Sequence, residues 1–77
     1  MSEHIKLIWD FKGPHGEQTA AHHCIHLKEF AIMEKLPYSE IGQTKLSEMH
    51  SIAFIIVPKS KMIVYRDALK PHRGQVA

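Results

Sequence analysis

The sequence predicts a single α+β domain over residues 1–77 with the order β-α-β-β-α-(β), the split arrangement of a ferredoxin-like plait: an antiparallel sheet with two helices on one face. Three segments carry this expectation. Residues 4–11 alternate apolar and polar side chains, residues 17–36 contain neither proline nor glycine, and residues 51–57 (SIAFIIV) are almost wholly apolar and rich in β-branched side chains.

In the first segment Ile5, Leu7, Trp9 and Phe11 share one side, with His4, Lys6 and Asp10 on the other, the period of a half-buried strand. Ile8 interrupts the polar side and implies that something covers it. Gly13-Pro14-His15-Gly16 ends the strand, and a helix is expected from Glu17 to about Leu36. Glu17 near its start and Lys35 near its end suit the macrodipole, and Pro37 stops it. At about 100° per residue, Ala20, His23, Cys24, Leu27, Phe30 and Ala31 form its core stripe. Ile25 and Ile32 fall on the opposite side, and His22, His26, Glu29 and Met33 lie between the two apolar zones.

Residues 38–41 read as a short extended segment ending at Gly42, and residues 44–49 as one helical turn capped by Thr44. Residues 51–57 have the pattern of a central strand covered on both faces. Residues 58–69 admit a hairpin looped at 58–61, but we adopt a helix capped by Ser60 and closed by Lys70 and Pro71. Residues 72–77 form a short tail or the stub of an edge strand. The plait so assembled places the first and third strands side by side and parallel, with one sheet face bare. Ile8 and the two-faced strand suit burial of that face against a second copy, so a face-to-face homodimer is expected of so small a chain.

A formal charge of +2, with only Lys70-Pro71-His72-Arg73 locally cationic, makes no footprint for nucleic acid. The single cysteine excludes an internal disulfide. No apolar run has the length of a signal-peptide core or a membrane span, so a cytoplasmic protein without a membrane partner is expected.

Seven histidines in 77 residues make metal the leading functional idea. His22 and His26 stand one turn apart on a helix face, and imidazole suits zinc, nickel and copper. His15 or Glu29, or a residue of another subunit, would complete the set. The pair lacks the glutamate of a His-Glu-x-x-His protease. A secondary cluster, His4, His50 and His72, depends on the parallel strands meeting at one sheet edge. Cys24 and Trp9 read as core residues. The leading expectation is therefore a small transition-metal-binding module. The alternatives are a dimeric small-molecule-binding or regulatory domain of the same plait, its histidines incidental, and a small dimeric plait enzyme with a histidine as general base. The enzyme stands last because no partner that would orient the base is visible.

Overall fold

Alternation in the first strand sorts the molecule into two sides. A computed structural model describes residues 3–77. It contains β1 (His4–Lys12), α1 (Gly16–Met33), β2 (Glu40–Ser47), β3 (His50–Pro58), α2 (Met62–Leu69) and β4 (Arg73–Val76), with a 3-10 turn, Lys59–Lys61, leading into α2. The result is a small α+β fold, a four-stranded antiparallel sheet ordered β2-β3-β1-β4 with two helices. Among the described residues no helix is long and apolar enough to cross a membrane.

Strands β1 and β3 are neighbours at the sheet centre, as expected, but they run antiparallel rather than parallel: His4 lies opposite Pro58, and Lys12 opposite His50. The connectivity requires it. Helix α1 carries the chain back so that β2 starts in the direction of β1, and the turn at Glu48 and Met49 then reverses it into β3.

One face packs against both helices. Leu7 and Trp9 from β1 and Ile55 and Val57 from β3 meet Leu27 and Ala31 of α1 and Tyr65 of α2. Burying each of the larger apolar side chains is worth about 1.5–3 kcal/mol. Phe30 and Tyr65 meet edge to face at 5.7 Å, and the Tyr65 hydroxyl donates to the Pro37 carbonyl at 3.3 Å. On the other face Ile8, Ile52 and Phe54 form a second apolar cluster, only 2%, 6% and 7% exposed within one chain. Its cover is local. The Phe54 ring lies across Gly42, where an added Cβ would stand 2.8 Å from it, and Lys6 Nζ sits 4.3 Å from the ring centroid. Within one chain Gly42 and Lys6 thus lie against the Phe54 ring.

The expected core stripe of α1 is largely observed: Ala20, Leu27 and Ala31 are buried, and His23, Cys24 and Phe30 are half-buried. Ile25 and Ile32 are 59% and 62% exposed on the far side. The helix ends at Met33, short of Leu36, through a Schellman cap in which Leu36 N–H donates to Ala31 O at 2.9 Å and Lys35 N–H to Ile32 O at 3.2 Å. Lys35 thus lies beyond the helix, at φ 53°, instead of in its last turn.

Residues 44–49 do not form a helical turn; β2 runs through Gly42 to Ser47, with a bulge between Lys45 and Ser47. This edge strand is mostly exposed, so its pairing with β3, rather than any apolar alternation, makes it a strand. Ser60 lies inside the 3-10 turn and caps nothing; Lys61 precedes α2 without a side-chain cap. The helix over 62–69 and the edge stub β4 agree with expectation.

Two substitutions test these backbone constraints. A Cβ on Gly16 would stand 2.6 Å from the Phe11 carbonyl oxygen, so Gly16→Ala should lower stability by about 1–3 kcal/mol in urea unfolding. Lys35→Gly relieves the left-handed conformation and should raise stability by roughly 0.5–1 kcal/mol, read as a higher urea midpoint.

Candidate functional site

Side chains converge in two places, one built by a single helix and one by the sheet. On α1, His22 and His26 are exposed, with their Nε2 atoms 2.9 Å apart and their rings edge to face at 4.5 Å. Nδ1 of His26 lies 3.4 Å from Glu29 Oε1. With the Nδ1 proton held toward that carboxylate, Nε2 of neutral His26 is an acceptor and the Nε2–H of His22 donates to it. His15 stands apart from this pair: it precedes the first turn of α1, about 10 Å along the axis from His22. Among the described residues no three His, Cys, Asp or Glu side chains form a group able to hold a metal ion.

The second convergence is centred on Asp10. His50 Nε2–H donates to Asp10 Oδ1 at 2.8 Å, while Arg73 donates from Nη2 to Oδ1 at 3.1 Å and from Nε to Oδ2 at 3.2 Å. The Asp10 main-chain N–H donates to His72 Nδ1 at 2.8 Å. Neighbouring bonds hold this corner: His72 N–H donates to Ile8 O at 3.0 Å, and Trp9 Nε1–H to Leu69 O at 3.0 Å. Partial burial pushes the Asp10 carboxyl up, but the hydrogen bonds from His50 and Arg73 and their positive charge outweigh it and hold it below the usual range.

The secondary histidine trio is thus only partly assembled. His50 and His72 meet at one residue, Asp10, on its carboxylate and its main-chain N–H respectively, whereas His4, six residues back at the opposite end of β1, lies about 20 Å away along the strand. Asp10 and Arg73 were not among the candidates from sequence. Their only signals were the place of Asp10 on the polar side of its strand and of Arg73 in the cationic segment 70–73, and 63 residues separate them.

His23 and Cys24 diverge, as neighbours on a helix must. His23 packs between Trp9 and Phe11, with ring centroids 4.8 and 5.5 Å away, and its buried Nε2 has no hydrogen-bond partner among the described residues. Burial first, then the nearby His26, His72 and His22, lowers its pKa. The Cys24 thiol donates to the Gly42 carbonyl at 3.1 Å, and burial pushes its pKa up, which keeps it a neutral thiol and a poor nucleophile.

These shifts have a sign. Above pH 6.5, the ordinary value for histidine, His23 is neutral in both states; as the pH falls below it, the unfolded chain takes up that proton first and stability declines. Chemical denaturation of His23→Leu between pH 7 and roughly 5 should show a flatter profile than the parent. Asp10 contributes fully above 3.8 and loses its contribution as the pH drops through its lowered folded value. Asp10→Asn should cost about 1–3 kcal/mol at pH 7, measured by urea unfolding.

No protein-family model, curated protein or solved structure matches this chain, so a functional reading rests on its own geometry.

Proposed function

We propose that this chain is a small plait of ferredoxin-like type whose first helix binds a borderline transition metal, zinc, nickel or copper, through Nε2 of His22 and Nε2 of His26. The sheet order β2-β3-β1-β4, with α1 and α2 as the two crossovers, supports the plait. The observation that carries the metal reading is the 2.9 Å between the two Nε2 atoms. Metal–nitrogen bonds of about 2.05 Å require roughly 2.9 Å between donors at a right angle and about 3.3 Å at a tetrahedral one. The pair already stands at chelating distance; binding requires His22 to carry its proton on Nδ1 instead of Nε2, and the two rings to turn their Nε2 lone pairs from each other to the ion.

Glu29 acts on the other side of the ring. Its contact with Nδ1 favours the tautomer that offers Nε2 to the metal, the role of a carboxylate behind a ligating histidine. Two imidazoles leave the remaining positions to water or an exogenous ligand, so the site is an open chelate rather than a closed structural centre. It does not depend on a second copy of the chain.

Titration of untagged protein with zinc, nickel or copper, followed by calorimetry and histidine NMR, tests the reading. Binding at about micromolar affinity is expected, lost in His22→Ala/His26→Ala and unchanged in His15→Ala. Glu29→Gln should weaken it by about tenfold. Binding that persists in the double variant, or none tighter than about 100 μM, rejects it.

A further inference from the structure

The Asp10 corner has no part in a metal site on α1, yet it is the most elaborated polar convergence in the molecule. β1 supplies Asp10 and Lys12, β3 supplies His50, and the connection from α2 into β4 supplies His72 and Arg73; together they line an open cleft of about 520 Å³. We propose that this cleft binds a small oxyanion, a phosphate or a carboxylate, and that Lys12, Arg73 and His72 hold it.

Hydrogen-bond accounting gives the reason. Asp10 is the one carboxylate in the cleft, and both its oxygens are engaged, Oδ1 by His50 and Arg73 and Oδ2 by Arg73. Its charge is thereby turned inward and compensated. Arg73 carries five N–H groups and spends two on Asp10, leaving three, and its side chain is 50% exposed. His72 accepts the Asp10 N–H at Nδ1, so its neutral ring must carry the proton on Nε2 and offer it as a donor. Lys12 adds three donors at the exposed end of β1 and makes no ion pair among the described residues. Counting only Lys12 and Arg73 against Asp10, the cleft carries one net positive charge, to which a protonated histidine would add. Unused donors therefore far outnumber acceptors; the main unspent acceptor is His50 Nδ1, because Nε2 of that ring donates to Asp10.

A planar fork, an ammonium and an imidazole N–H around one opening form the donor set that suits an oxyanion. Asp10 also acts as a positioning residue: it fixes Arg73 in two-point geometry and sets the His50 tautomer, so the site needs little reorganisation when its ligand arrives.

The test is a titration of the full chain with inorganic phosphate and, separately, with acetate, followed through the histidine ring protons by NMR at constant ionic strength. Saturable shifts of His50 and His72, with His4 and His15 unmoved, are expected with at least one of the two anions, and which one saturates distinguishes phosphate from carboxylate. Lys12→Gln, a change at an exposed strand end that leaves the Asp10 bonds intact, should weaken binding by about tenfold, and Arg73→Gln by more. His22→Ala/His26→Ala should leave it unchanged, which separates this site from the metal pair. Shifts that fail to saturate with both anions, or that saturate identically in Lys12→Gln, overturn the proposal.

Discussion

The structure depends on the antiparallel pairing of β1 with β3. These two strands, nine residues each, form the sheet centre in a register that sets His4 against Pro58 and Lys12 against His50. Both carry apolar side chains on both faces, Leu7 and Trp9 with Ile55 and Val57 toward the helices, and Ile8 with Ile52 and Phe54 away from them. A one-residue slip would exchange these faces and strand Asp10 and Lys12 in the helix-side core. The edge strands add little burial of their own: β2 and β4 are mainly exposed and owe their conformation to the ladder beside them.

That register also decides which polar groups meet. At the Lys12–His50 end of the central pair, the chain leaving α2 is bonded to β1 through the Leu69 carbonyl, the His72 main chain and the His72 ring. Arg73 enters the ladder opposite Ile8 and reaches the carboxylate of Asp10, two residues along. One partly buried acid thus ties together three strands, while Trp9 beside it holds the end of α2. A single carboxylate facing an imidazole and a guanidinium recovers its desolvation cost through charge-assisted bonds, and a lowered pKa is the measure of that recovery.

The pair on α1 has a different physical origin. His22 and His26 meet because the helix repeats every 3.6 residues, and would meet on any exposed helix of this sequence. The sheet contributes nothing to their geometry. His23, one position away, shows how sharply the helix separates neighbours: its ring is enclosed by Trp9 and Phe11, where protonation costs stability, while the flanking imidazole at His22 stays in water.

What the sequence determined by itself is what depends on local periodicity. The alternation in residues 4–11, the apolar run at 51–57, the core stripe of α1 with its outward Ile25 and Ile32, and the His22–His26 pair were all legible, because each is set by the repeat of one strand or one helix. Edge strand β2 was legible only at its start, within the extended segment 38–41; its continuation to Ser47 was not, since those residues are mostly polar and only the unpaired edge of β3 makes them extended. Nor was the helix end at Lys35, where a cap outweighs the preference for glycine. Tertiary structure decided which strands lie side by side and in what register, and with it the fate of the secondary histidines. His50 and His72 converge and His4 is excluded, because antiparallel pairing joins the end of one strand to the start of its neighbour, and no spacing along the chain encodes which ends will meet.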